Sequence, residues 1–201
     1  MTTKNSIPSW VTLAELARSS LELAANFKDR CLYIVGDIDA HMAYHFMVPF
    51  HVMDGQKGPI TVVLSSTGGG VEDGYAIYDT IKAAQNEVSV IGVGSVHSMA
   101  AVILQAGRVR LLTPECRFMV HNGSFNLGEV DADTLVAIGK EVDQGNRDYQ
   151  RILAQRSGLS LRKMQRLCET ETYLDARRAV KLGFADAVVL PEGTFFTKEH
   201  K

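Results

Sequence analysis

Three cysteines, a formal charge of only −2 and no long apolar run narrow what this 201-residue chain can be. Cys31, Cys116 and Cys168 are far apart, form no CxxC pair and are odd in number. That spacing excludes a disulfide framework and favours reduced thiols packed inside a cytoplasmic protein. The near-neutral charge gives no electrostatic basis for holding nucleic acid or an anionic membrane, since both need clustered Lys and Arg. No stretch approaches the roughly 18 apolar residues of a membrane span, and Met1 to Ser9 lacks the basic start and apolar core of a signal peptide. Repeats, linkers and low-complexity segments are missing too. His41 and His45 stand at i, i+4 with His51 behind them, but no HExxH glutamate lies between the first pair, so neither a metal nor a cofactor is expected.

What is present is the composition of an ordinary globular protein, 46% hydrophobic and 22% charged. A chain of this length buries about 70% of the surface its unfolded form exposes, enough for one domain over residues 1–201. Helical periodicity runs from Trp10 to Lys28, and a strand follows at Cys31 to Val35. His41 to Val52 reads as a helix that Pro49 should kink or break. Strands are expected at Ile60 to Leu64, Val88 to Val93, Val109 to Leu112 and Phe118 to Val120. Helices are expected at Tyr75 to Ala84 and Met99 to Ala106. This alternation argues for an α/β fold with largely parallel pairing. Asp131 or Asp133 caps a long helix of about residues 131–157, Gly158 stops it, and Ser160 caps the next.

Three segments carry chemistry: Ser65 to Gly70, Gly94 to Ala101, and Phe118 to Asn122. Amide hydrolysis by a serine needs an activated hydroxyl, a base, a group that orients the base, and backbone donors for the oxyanion. Ser98 follows an apolar strand and opens an apolar helix, where free N–H groups and the helix dipole favour negative charge. Gly68, Gly69 and Gly70 permit positive φ and close backbone approach to a ligand. His121 ends a strand, where its imidazole can face a cleft and accept a proton near neutral pH. Each also has a bland reading, as a helix cap, a turn and a structural histidine. His97 adjoins Ser98, but neighbours in a strand point to opposite faces, so it is expected beside the site or on the surface.

These segments, with Phe27-Lys28-Asp29-Arg30, Gly36 to Ala43, Gly74 to Thr80 and Ala179 to Asp186, give the chain its resemblance to a known family. Over roughly four fifths of its length it resembles the proteolytic subunit of the ATP-dependent Clp protease (ClpP), a serine peptidase of the ClpP/crotonase fold. The resemblance implies repeated ββα units around a mainly parallel sheet, with the long helix as a handle between rings. It implies Ser98 as nucleophile, His121 as base, and the backbone amides of Gly69 and Met99 as oxyanion donors. Gly68, Asn122, Gly123 and Ser124 would border the substrate. The implied assembly is two stacked heptameric rings, a tetradecamer, which takes in unfolded polypeptides or peptides with an AAA+ unfoldase as partner.

Several residues depart from the family pattern. Glu171 stands where the family has an aspartate, one methylene longer than the usual orienting acid; Asp175 and Glu169 are the alternatives. Thr170 replaces an arginine that pairs between rings, Asn122-Gly123 replaces Gln-Pro, and Gly139 and Gly145 weaken the handle helix. Residues 1–18 form a divergent N-terminal segment, polar where the family has an apolar entrance hairpin. These departures keep a second reading open, a low-activity or regulatory subunit that needs a paralogous ClpP in mixed rings. An acyl-CoA enzyme of the crotonase type and a phage-type capsid maturation peptidase share the fold and are the remaining alternatives.

Overall fold

The computed structural model describes residues 24–123, 131–190 and 195–197. Its strands are β1 (Ala25–Asn26), β2 (Cys31–Val35), β3 (Ile60–Ser66), β4 (Val88–His97), β5 (Val109–Leu112), β6 (Arg117–Val120), β7 (Thr172–Asp175), β8 (Ala187–Val189) and β9 (Phe195–Thr197). The helices are α1 (Ala40–Asp54), α2 (Val71–Lys82), α3 (Met99–Ala106), α4 (Ala132–Ser157), α5 (Leu161–Cys168) and α6 (Ala176–Lys181).

All nine strands join one sheet in the order β1-β2-β3-β4-β5-β8-β9, with β6 branching from β4 and β7 pairing β6. The pairs β2–β3, β3–β4, β4–β5, β4–β6 and β5–β8 are parallel; β1–β2, β6–β7 and β8–β9 are antiparallel. The expected α/β class with mainly parallel pairing is what forms.

The branch positions the site. Up to Gly92, β4 pairs with β5; from Ser95 it pairs with β6 instead. On its other edge Leu64 opposes Gly92 while Ser66 opposes Val96, so Val93, Gly94 and Ser95 face the single residue Ser65. A bulge of this kind bends and twists a strand. It carries the last residues of β4 out of the main sheet and onto a small β4–β6–β7 extension.

The core lies around α3, where all eight residues from Met99 to Ala106 are buried. This helix packs on α2, α4, β3, β4 and β6. Phe118 and Phe184 stack at 4.8 Å beneath the extension. Each large side chain buried here contributes about 1.5–3 kcal/mol over its exposed state. The buried Arg110 guanidinium joins distant segments through Asp186, Gln105, and the carbonyls of Arg156 and Gly183.

Local signals hold for the long helix. Asp131 caps α4 by accepting from Thr134 N–H, Gly158 ends it in the left-handed region at φ +74°, and Ser160 caps α5. Three expectations need correction. Of the expected helix Trp10 to Lys28, only Ala24 to Lys28 is described, and it is not helical: Ala25 and Asn26 pair with Leu32 and Cys31. There Asn26 accepts from Asp29 N–H, and such a side-chain turn competes with helix. Next, of the kink or break expected at Pro49 the break does not form: α1 continues through this buried residue. Core contacts outweigh the N–H that proline cannot give to the His45 carbonyl. Finally, β4 extends to His97 rather than Val93, because the bulge hands it a second partner.

Candidate active site

Ser98 stands between the end of β4 and the start of α3, with φ +52° and ψ −120°, a conformation that non-glycine residues avoid. It occupies the cap position of α3, yet its side chain makes no capping bond. Its N–H donates to the Met119 carbonyl at 3.0 Å, which fixes the turn to the neighbouring strand. The hydroxyl is thereby turned toward His121, whose Nε2 lies 2.9 Å from Ser98 Oγ. With the ring proton on Nδ1, Nε2 accepts from the hydroxyl, the arrangement a general base requires.

His121 follows directly after β6. The next residue, Asn122, donates its N–H to the Cys168 carbonyl at the end of α5. Tyr149 of α4, only 8% exposed, supports both partners from below. Its hydroxyl donates to the Ser98 carbonyl at 3.3 Å and lies against the His121 main chain. Burial holds the Tyr149 hydroxyl well above its ordinary pKa, so it stays protonated and acts as a donor.

The glycine turn approaches the same point. Ile38 N–H donates to the Gly68 carbonyl, and Gly70 N–H donates to the Ile38 carbonyl. This clasp leaves the Gly69 N–H between them without an acceptor among the described residues. The Met99 N–H, in the first turn of α3, likewise has no acceptor among the described residues, as expected of a donor without an intrahelical partner. Gly69 has φ +148°, and a β-carbon there would stand 2.2 Å from the Ile38 carbonyl oxygen, so only glycine fits. Ser98, His121, Gly69 and Met99 all line one cavity of about 460 Å³.

Glu171 is placed differently. The β6–β7 ladder ends at the pair Val120–Thr172, and His121 and Glu171 are the residues just beyond it on the two chains. The Glu171 carboxylate does not bond the imidazole; Oε2 accepts from the Tyr173 hydroxyl at 3.0 Å. Of the alternatives, Asp175 caps α6 through Arg178 N–H, and Glu169 is the residue that ends α5. His97 packs its ring edge-on against Tyr173 at 5.6 Å, with Nε2 buried and unpartnered. Burial, with the Arg117 charge, holds His97 below its ordinary pKa, while Glu171 pulls it the other way.

Gly123 lines the cavity, and its N–H donates to Asn146 Oδ1 at 2.7 Å; Asn122 Oδ1 accepts from Gln150 at 2.7 Å. Gly68 packs directly on Ser98 and Met99. Ser124 lies outside the described residues. The sequence reading missed Tyr149, Asn146 and Gln150, and with them Glu141, Val142 and Gly145, which form the α4 wall. Their spacing of three and four marks one helix face, but periodicity does not say what that face meets. His41 and His45 stack on each other at 4.0 Å. Among the described residues no group of three His, Cys, Asp or Glu converges as a metal site would require, and no helix is long and apolar enough to cross a membrane.

A hydroxyl paired with an imidazole at a strand-to-helix turn, in one cavity with two backbone donors that have no acceptor among the described residues, has the parts of a hydrolase site. The Clp protease family model matches residues 17–192 of the chain. The chain is also similar to an ATP-dependent Clp protease proteolytic subunit from Chlorella vulgaris, 29% identical over 169 residues, which cover 82% of this chain and 83% of that one. The chain belongs to the Clp protease family and is a divergent member with its α/β fold, a Clp-type peptidase.

Proposed function

We propose that the protein is a serine endopeptidase of the ClpP type, with Ser98 as nucleophile and His121 as base. The observation that carries this reading is the 2.9 Å contact between Ser98 Oγ and His121 Nε2, made by a serine in a strained backbone conformation. His121 takes the hydroxyl proton as Oγ attacks the scissile carbonyl carbon. The Gly69 and Met99 N–H groups receive the charge that develops on the carbonyl oxygen. Collapse breaks the C–N bond, and His121 gives its proton to the departing amine. A water then adds to the acyl ester with His121 again as base, and expulsion of Ser98 Oγ restores the site. Neither step calls for a cofactor.

The Chlorella relative is named an ATP-dependent proteolytic subunit, and we extend that setting to this protein. The substrates are unfolded proteins or peptides, degraded in the cytoplasm inside a chamber of stacked heptameric rings fed by an AAA+ unfoldase. One observation favours a second reading, a low-activity subunit that works beside a paralogous ClpP: the Glu171 carboxylate is held by Tyr173 rather than by His121. The test is turnover of a fluorogenic peptide by the purified protein beside Ser98→Ala, with particle mass measured in the same samples. Ser98-dependent turnover by a ring-sized particle supports the first reading. Rings without turnover support the second, and equal turnover by both proteins refutes a Ser98 peptidase.

A further inference from the structure

The Tyr173 hydroxyl donates to the carboxylate of Glu171, the residue that stands in place of the orienting acid. We propose that Tyr173 is a positioning residue that draws Glu171 away from His121, so that the orienting acid completes the site only when the tyrosine hydroxyl lets go. The inference rests on the reading of Ser98 and His121 as a peptidase pair.

Two partners compete for one carboxylate. His121 and Glu171 follow the last ladder pair, Val120–Thr172, on the two chains, and one more step of that register would bring their side chains within reach of each other. Tyr173 stands two residues further on, within β7. The extra methylene of a glutamate lets its carboxylate lie back along the strand and reach the Tyr173 hydroxyl at 3.0 Å. His97 sits edge-on against the Tyr173 ring and sets where that hydroxyl points. Tyr173 is 49% exposed, so its bond to Glu171 competes with water and biases the carboxylate without locking it. With Glu171 held back, the bond from Ser98 is the sole side-chain bond of the His121 ring among the described residues. An unoriented imidazole is a poor base: loss of the third member costs up to about 10⁴ in turnover in other triads.

The experiment compares peptide hydrolysis by wild type, Tyr173→Phe, Glu171→Gln and the double variant. Phenylalanine keeps the ring against His97 and removes only the hydroxyl. Tyr173→Phe is expected to raise kcat by about tenfold or more with KM unchanged, since no substrate contact is altered. Adding Glu171→Gln should abolish that gain, so that the double variant has the kcat of Glu171→Gln alone. An unchanged or lower kcat in Tyr173→Phe, or a gain that survives Glu171→Gln, overturns the proposal. Ser98→Ala, run alongside, separates the two levels. If it is as active as wild type, the peptidase reading itself has failed. If it is inactive while Tyr173→Phe shows no gain, only the role of Tyr173 has failed.

Discussion

A β-carbon placed on Gly68 would stand 2.7 Å from the Cβ of Ser98 and 3.2 Å from the Met99 nitrogen. The glycine turn after β3 and the turn that carries the serine are therefore packed against each other without room for a methyl group. Gly68 also has φ +103°, so a side chain there adds backbone strain of about 1–3 kcal/mol.

Gly68→Ala is expected to displace Ser98 and the oxyanion donors together. Reaction of Ser98 with a fluorophosphonate should slow by about tenfold or more, with thermal unfolding lowered by several degrees. A stopped-flow or gel-based labelling time course beside a melting curve measures both.

The opposite outcome is expected in the handle helix. Gly139 lies on the exposed face of α4 with nothing within 4 Å of where a Cβ would stand. Gly139→Ala should stabilise the protein by about 0.5–1 kcal/mol, seen as a higher midpoint in urea, with peptide turnover unchanged.

Much of this arrangement was legible locally. The caps Asp131 and Ser160 and the stop at Gly158 depend on residues within a turn of themselves, and each formed where its chemistry places it. The Ser98 turn was legible because an apolar strand and an apolar helix flank it; the pairing with His121 came from the family resemblance as well. What stayed hidden is non-local. Nothing in Val93-Gly94-Ser95 says that β4 changes neighbours there, since that depends on where β5 and β6 lie. The Tyr149 face of α4 is periodic whatever it packs against. The choice of Glu171 between His121 and Tyr173 is a side-chain conformation, below what a sequence pattern specifies.

His97 should make stability depend on pH. Burial and the nearby Arg117 charge hold its pKa below 6.5, so the unfolded chain binds that proton more readily than the folded one. The His97 contribution is then undiminished above about pH 6.5, and stability is lost as the pH falls below it. The drop in melting temperature between about pH 7.5 and pH 5.5 should be smaller in His97→Gln than in wild type. Equal drops would mean that His97 titrates normally.

Burial also pushes the Cys116 and Cys168 thiols up to about 12. Both should resist iodoacetamide at about pH 8 in the native protein and react once it is unfolded in urea, while half-buried Cys31 reacts first. Intact mass after timed alkylation gives the order.

Fluorophosphonate labelling of the purified protein beside Ser98→Ala and His121→Ala, read by intact mass and peptide mapping, tests whether His121 activates Ser98. One adduct is expected, on Ser98, absent from Ser98→Ala and much slower to form in His121→Ala. An adduct on another residue, or none on a folded protein, would contradict an activated Ser98.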